Sequence, residues 1–376
     1  MLTRRDFLRT AVISAVACRA HAADLVREVA APRKEALHYQ KLNDGRGTVR
    51  CALCPRRCTI PDNGSGFCRA RRNYGGTLCS LGYAQPCAFH VDPIEKKPFF
   101  NFYPRSTAFS LACAGCNLRC KFCQNWEISQ ISPLETQNYL TPVSHLPDMT
   151  VARGARSIAF TYTEPTTYYE YMLEAAKAAR AKGILSVYHS NGFINPEPLQ
   201  ELCRHLDAAN IDLKGFSEEF YRTVCEAELA PVLATLKTLK QNGVWLEITN
   251  LVIPGYNDDP KMIGEMCHWV RTNLGAETPL HFSRFFPLYK MLSVPPTPVK
   301  TLERAREIAL KEGLKYPYVG NVPGHAGNST FCPKCRVVVI RRSGFSVLGM
   351  NLKGGRCGSC GEKIDGLGLM TGGTKV

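Results

Sequence analysis

The sequence predicts an α/β protein: an incomplete, TIM-like barrel between a Cys-rich N-terminal module and a C-terminal zinc-ribbon-like module. Three observations lead there. Between residues 106 and 325, apolar runs of strand length alternate with helix-length stretches. Twelve of the 18 cysteines fall into three tight groups, one before that region, one at its start and one after it. The composition also shifts at both ends: Cys, Gly and Arg crowd residues 46–80, and two Cys-x-x-Cys pairs bracket a β-rich stretch, 336–352.

Strand candidates span 107–112, 157–162, 185–189, 208–213, 245–253, 280–286 and 316–319. Helix candidates between them span 166–181, 230–241, 261–272 and 302–312. In the first of these, Tyr168, Tyr171, Met172, Ala175 and Ala179 recur at helical spacing, which marks a buried face. Strand–helix alternation builds parallel βαβ units and hence a barrel or part of one. Such barrels present their chemistry at the C-terminal ends of the strands.

The expected organisation is a leader over 1–22, a linker over 23–45 and the Cys-rich module over 46–105. The barrel follows over 106–325 and the ribbon over 328–366. The leader reads Arg4-Arg5-Asp6-Phe7-Leu8, then an uncharged run, then Ala20-His21-Ala22 as a cleavage site. Basic, apolar and small-residue regions in that order make a secretory signal, here of the twin-arginine kind. No later stretch has the 18 or so apolar residues of a membrane span. The net charge of +15 is spread along the chain and is compatible with acidic partners. No aromatic–basic module for nucleic acid stands out, so a nucleic-acid partner is disfavoured.

Cysteines two or three residues apart suit metals better than a disulfide framework. Cys51, Cys54, Cys58 and Cys68 form the first group, and either a tetrahedral zinc or a second iron–sulfur cluster satisfies it. Cys332, Cys335, Cys357 and Cys360 have zinc-ribbon spacing, with a glycine after the second pair. Four thiolates fill a zinc shell, so a structural role is expected, with the ribbon unfolding on metal loss and the central site unaffected. The middle group, Cys116-Asn-Leu-Arg-Cys120-Lys-Phe-Cys123, offers three thiolates after a strand. A cubane cluster normally takes four cysteines, so three leave one iron free for an amino-acid-like ligand. Cys113 is close enough in sequence to serve as a fourth ligand, which would make a zinc site or an electron-carrying cluster instead.

The three-plus-two spacing resembles the signature of the radical S-adenosylmethionine (SAM) enzymes over residues 106–322. The resemblance implies a four-iron four-sulfur cluster on Cys116, Cys120 and Cys123 and SAM on the open iron. One electron from a low-potential donor then cleaves SAM to methionine and a 5′-deoxyadenosyl radical, which abstracts hydrogen from a substrate. Phe122 sits where the family lays an aromatic ring against adenine, although packing of the loop explains it equally. Thr161-Tyr-Thr-Glu164-Pro165 resembles the Gly-Gly-Glu-Pro element, with Glu164 facing the SAM ammonium and both glycines replaced. His189-Ser190-Asn191-Gly192 resembles the Asp-Thr-Asn-Gly element of the glycyl-radical activating enzymes, with His189 in place of Asp. Asp212-Leu213-Lys214 resembles their Asp-Leu-Lys element, with Lys214 reaching the SAM carboxylate, and Ile253-Pro-Gly255 their Val-Pro-Gly turn. Thr249 stands where an Arg is usual.

The whole layout is similar to the radical SAM enzyme of the AmmeMemoRadiSam system, itself related to the pyruvate formate-lyase activating enzymes. Five segments carry it: Leu53-Cys-Pro-Arg-Arg-Cys58, Asp92-Pro-Ile-Glu-Lys-Lys-Pro98, residues 115–126, Leu251-Val-Ile-Pro-Gly-Tyr-Asn257 and Tyr318-Val-Gly-Asn-Val-Pro-Gly-His325. A protein substrate is one implication. The alternative function is a catalytically degenerate iron–sulfur electron carrier or binding protein, whose sign would be Cys113 on the fourth iron. The leader points to periplasmic export, whereas SAM and low-potential donors point to the cytoplasm.

Overall fold

Runs rich in Ile, Val, Phe and Leu, buried on both faces, become the strands of one sheet, because a parallel sheet is covered on each side. In the computed structural model, which describes residues 33–369, this sheet has eight strands. They are β1 (Ala88–Pro93), β2 (Thr107–Ala112), β3 (Ser157–Phe160), β4 (Leu185–Ser190), β5 (Ala208–Asp212), β6 (Trp245–Val252), β7 (Leu280–Arg284) and β8 (Pro317–Gly320). Each strand neighbours the next in sequence, and β2 to β8 are all parallel. Among the described residues β8 does not pair with β1, so the barrel is open. The leader, 1–22, and Cys18 lie outside the described residues.

The crossovers are helical: α1 (Leu146–Ala152), α2 (Tyr169–Ala181), α3 (Pro196–Cys203), α4 (Leu229–Gln241), α5 (Pro260–Leu274) and α6 (Val299–Lys311). Local chemistry sets the start of α5 most clearly. Asp259 caps α5, its carboxylate accepting from the N–H groups of Lys261 and Met262, with Pro260 at the first position. None of the described helices is long and apolar enough to cross a membrane.

Most element ends differ from the sequence expectation by one to three residues, and two differences have a clear physical reason. β3 stops at Phe160 because Tyr162 takes a left-handed backbone, φ +67°. The sheet also begins earlier, with β1 antiparallel to β2 from Ala88 to Pro93. That strand is half exposed and has no apolar run, so nothing in its pattern marks it.

The N-terminal cysteines sit among two small antiparallel sheets. The stretch 23–45, expected as a linker, contributes the strands Lys34–Glu35 and Tyr39–Lys41 to them. Val49, Leu53, Ile60 and Leu78 join the same continuous core as the barrel. A buried ion pair between Arg71 and Glu170 of α2 clamps the two parts together.

The ribbon has a three-stranded antiparallel sheet, Thr330–Phe331, Val338–Ser343 and Ser346–Met350, followed by a two-stranded one. It fills the seam that an open barrel leaves. Its Val339, Ile340, Leu352 and Ile364 share a core with Phe100, which follows β1, and with Tyr316 and Tyr318 at β8. Arg342 is buried there: its guanidinium donates to the Phe100 carbonyl at 2.6 Å and to Thr330 Oγ1 at 2.8 Å, and lies 3.7 Å from Glu95. The expectation that the ribbon unfolds without disturbing the centre therefore has to be revised, because it shares its core with residues at both ends of the sheet.

Arg342→Ala should cost about 3 kcal/mol, because it strands a buried carboxylate and a carbonyl together. Denaturant unfolding of the full chain checks this, and a loss below about 1 kcal/mol would show that the seam is held by apolar packing alone.

Candidate active site

The parallel strands end on one side, and their C-terminal ends surround a cleft of about 520 Å³. Cys116, Cys120 and Cys123 line it from the loop after β2, and Phe122 lies beside them. Glu164 enters from the end of β3, Ser190 and Asn191 from β4, Asp212 and Lys214 from β5, and Thr249 and Leu251 from β6. The residues expected to act together from their motifs are thus gathered around a single cleft.

The cysteine loop is held at several points. Asn117 Nδ2 donates to the Phe193 carbonyl at 2.7 Å, and the Arg119 and Lys121 N–H groups donate to the carbonyls of Cys225 and Val224. Leu118 N–H points at Cys116 Sγ, 3.4 Å away, and Ser129 Oγ is 3.1 Å from Cys123 Sγ. Burial pushes the Cys116 and Cys123 thiols up; for Cys120 contact with the Cys225 thiol leads and burial adds to it. Three thiols on one short loop, Cys120 buried and Cys116 and Cys123 half-buried, become thiolates readily against a compensating cation, which is what iron supplies. The donor set therefore fits a cluster.

Cys113 is turned elsewhere. It is fully buried, its thiol donates to the Gly82 carbonyl at 3.1 Å, and it does not line the cleft. The fourth-ligand arrangement considered from the sequence therefore has no geometric basis here.

Glu164 binds two strand ends together. One carboxylate oxygen accepts from Thr166 N–H at 3.0 Å and Ser190 Oγ at 2.8 Å, the other from Asn191 N–H at 2.9 Å. Burial raises its pKa, partly opposed by these donors. Asp212 sits between two nitrogen partners, with His189 Nε2 at 3.1 Å and Lys214 Nζ at 3.0 Å. Burial opposes its ionisation, but Lys214 and His189 outweigh that and hold the carboxyl far below its ordinary range. Burial likewise opposes the charge on Lys214, and Asp212 with Cys120 overcomes it and raises the ammonium's pKa. The Lys214 ammonium lies 5.6 Å from the centre of the Phe122 ring, whose own side chain is buried. His189, substituted for Asp, thus becomes a partner of Asp212.

Sequence reasoning missed one wall of the cleft. Asp92, on β1, pairs with the buried Lys97 at 2.5 Å and accepts from the Tyr162 hydroxyl; the Lys97 ammonium lies 4.0 Å from the centre of the Tyr162 ring. Burial lowers Lys97 to about 8, with Asp92 opposing. These contacts and the bond from Asn125 Nδ2 to the Tyr162 carbonyl, 2.6 Å, hold Tyr162 in its left-handed conformation, where glycine would adopt it freely. The signal was the Asp92–Pro98 segment, quoted for its resemblance but given no role. Lower down, the buried Glu247 carboxylate accepts from the N–H groups of Phe100 and Asn101 and from His281 at 2.7 Å, and His281 lines the cleft. On the ribbon side Phe345 lines it too.

Comparison with known proteins agrees with this geometry. A family model described as Radical SAM superfamily matches residues 111–267. An uncharacterized protein of Methanocaldococcus jannaschii is 48% identical over 334 residues, covering 88% of this chain and 99% of its own. Pyruvate formate-lyase 1-activating enzyme of Escherichia coli (strain K12) is 23% identical over 217 residues, covering 54% of this chain and 87% of its own. Among solved structures, a radical SAM methyltransferase from Sphaerobacter thermophilus aligns with a TM-score of 0.47 at 14% identity, over 77% of this chain and 76% of its own. The chain belongs to the radical SAM superfamily and is related to the pyruvate formate-lyase activating enzymes.

Proposed function

We propose that this enzyme reductively cleaves SAM at a four-iron four-sulfur cluster held by Cys116, Cys120 and Cys123. The 5′-deoxyadenosyl radical so formed would abstract hydrogen from a substrate. One observation carries the reading: the cysteine loop turns three thiols, and not Cys113, toward a roomy cleft. A three-thiolate cluster keeps an iron for an exchangeable ligand, whereas a carrier cluster is closed by a fourth. When bound, the cluster supplies the electron that breaks the C–S bond. The residues of the chain bind and orient. Glu164 faces the SAM ammonium, Lys214 its carboxylate, and Ser190 and Asn191 its neighbouring polar groups. Phe122 offers an apolar ring to adenine. The Asp92–Lys97–Tyr162 wall and Phe345 narrow the approach of water to a reactive radical.

Three finer readings belong with it. The Asp92–Pro98 and Tyr318–His325 segments that carry the likeness to the AmmeMemoRadiSam enzyme both contribute to the cleft wall, which supports that subgroup and a protein substrate. The electron donor is a low-potential one-electron protein, and the +15 chain would favour an acidic one. In the ribbon, Cys332 and Cys360 sulfurs are 3.6 Å apart and Cys335 and Cys357 sulfurs 3.7 Å. Zinc bound at about 2.3 Å to four sulfurs requires an edge of about 3.8 Å, so the quartet fits one structural zinc ion.

Anaerobically reconstituted enzyme with dithionite and SAM should release 5′-deoxyadenosine, and Cys116→Ala, Cys120→Ala or Cys123→Ala should abolish release. Wild type with a complete cluster and no SAM cleavage would sink the proposal. SAM affinity should fall as the pH drops, beginning above the ordinary carboxylate range, because burial raises Glu164 and its protonation removes the acceptor. Glu164→Gln should bind SAM about tenfold more weakly, the loss of one charge-assisted hydrogen bond of about 1.5 kcal/mol, with a flattened pH profile. Equilibrium dialysis decides, and an unchanged profile would remove Glu164 from SAM binding. Elemental analysis should find one zinc per chain that is lost in Cys357→Ser/Cys360→Ser. Hydrogen exchange of Pro317–Gly320 should then quicken, and unaltered protection would show that the ribbon holds without metal.

A further inference from the structure

Cysteine groups in this chain adopt two geometries. In the ribbon the four ligand sulfurs lie within 4.8 Å of one another, as a single ion demands. Among the described residues no other set of three or more such ligand atoms is so close. Cys51, Cys54, Cys58 and Cys68 are therefore spread more widely, yet all four line one small void of about 20 Å³. Cys116, Cys120 and Cys123, likewise outside any such tight set, line their own cleft. A cubane produces such a spacing, because its irons and sulfides stand between the thiolates, whereas a single ion draws its four sulfurs into contact.

The surroundings of the N-terminal sulfurs also match those of the central loop. Phe67 N–H donates to Cys58 Sγ at 3.5 Å, as Leu118 N–H does to Cys116 Sγ. Arg71 Nη1 donates to Cys51 Sγ at 3.5 Å, from a guanidinium that is 1% exposed. Hydrogen bonds and positive charge at the sulfurs are the means by which a protein sets a cluster's potential. The void is also next to the central loop. Asn117, adjacent to Cys116, lines it. Asn191 Nδ2 donates to Asn117 Oδ1 at 2.8 Å and lies 3.8 Å from Cys116 Sγ. A Cβ on Gly115 would come within 2.7 Å of the Cys68 carbonyl, so the two cysteine loops touch at a position only glycine fits.

We propose that Cys51, Cys54, Cys58 and Cys68 hold a second four-iron four-sulfur cluster, closed by protein ligands and seated against the loop of the first. Having no open iron, it does not bind SAM. Its role is one-electron relay: it is reduced by one electron from an external low-potential donor protein and reoxidised by passing that electron to the first cluster, with no atom transferred. Occupancy of the site is independent of the SAM reading; the relay rests on it.

The test uses the full chain carrying Cys116→Ala, Cys120→Ala and Cys123→Ala together, reconstituted anaerobically with iron and sulfide. It should still bind about four irons and four sulfides, with a four-iron Mössbauer signature reducible by dithionite, beside one zinc. Adding Cys54→Ala and Cys58→Ala should remove that iron. The wild type gives an independent count should the triple variant fail to fold: about eight irons and one zinc. A triple variant with two zincs and no iron, or a wild type with about four irons and two zincs, would overturn the second cluster. Relay has its own readout: in Cys54→Ala/Cys58→Ala, 5′-deoxyadenosine release driven by a reduced donor protein should fall at least tenfold, while release driven by dithionite persists. Equal losses with both reductants, or none, would overturn the relay and leave occupancy to the iron count.

Discussion

An open parallel sheet has two unpaired edges and a gap between them, and the arrangement of the chain answers to that constraint. Unpaired strand edges must be paired or covered. β1 pairs with β2 on one side as an antiparallel cap, and the ribbon packs on the residues that follow it and on those of β8. Phe100 is where these solutions meet. Its N–H donates to Glu247 inside the barrel at 2.9 Å, its carbonyl accepts from Arg342 of the ribbon, and its ring packs between His281 and Tyr318 at 4.7 and 4.8 Å. One residue thus links β6, β7, β8 and the ribbon behind the cleft.

This explains which parts were legible in the sequence. Buried parallel strands declare themselves as apolar runs, so β2 to β8 were found to within a residue or two. Four of the six crossover helices were found to within three residues, since amphipathic spacing is local, whereas the short α1 and α3 were not expected. β1 was not found, because an edge strand half open to solvent needs no apolar pattern. The seam was invisible for a different reason: Arg342 and Phe100 are 242 residues apart, and neither has a local signature. The three-cysteine loop and Glu164, Ser190, Asn191, Asp212 and Lys214 were legible because short motifs at strand ends keep their spacing through any packing. The Asp92–Lys97–Tyr162 wall was not, since its members are joined only by folding.

The departures from the familiar motifs are absorbed locally. Where a glycine would reach the left-handed region without cost, Tyr162 is held there by Asp92, Lys97 and Asn125. Strain of this kind persists only where neighbours over-determine it. His189 in place of an acid gives Asp212 a partner beside Lys214, and the half-buried carboxyl is held well below its ordinary range. Both Tyr162 and His189 line the cleft.

The same residue type therefore serves unlike ends, and sulfur spacing separates them. Cysteines whose sulfurs touch leave room for one ion at most, and in the ribbon they come together within a small two-sheet unit with little core of its own. Cysteines spread around a void, as Cys51, Cys54, Cys58 and Cys68 are, leave space between their sulfurs instead. Cys113 belongs to neither class: packed against Gly82 and bonded to its carbonyl, it is an apolar filler. Its orientation leaves the central loop with three thiols on the cleft. On the proposed reading, an open coordination site would be made as much by turning one cysteine away as by presenting the other three.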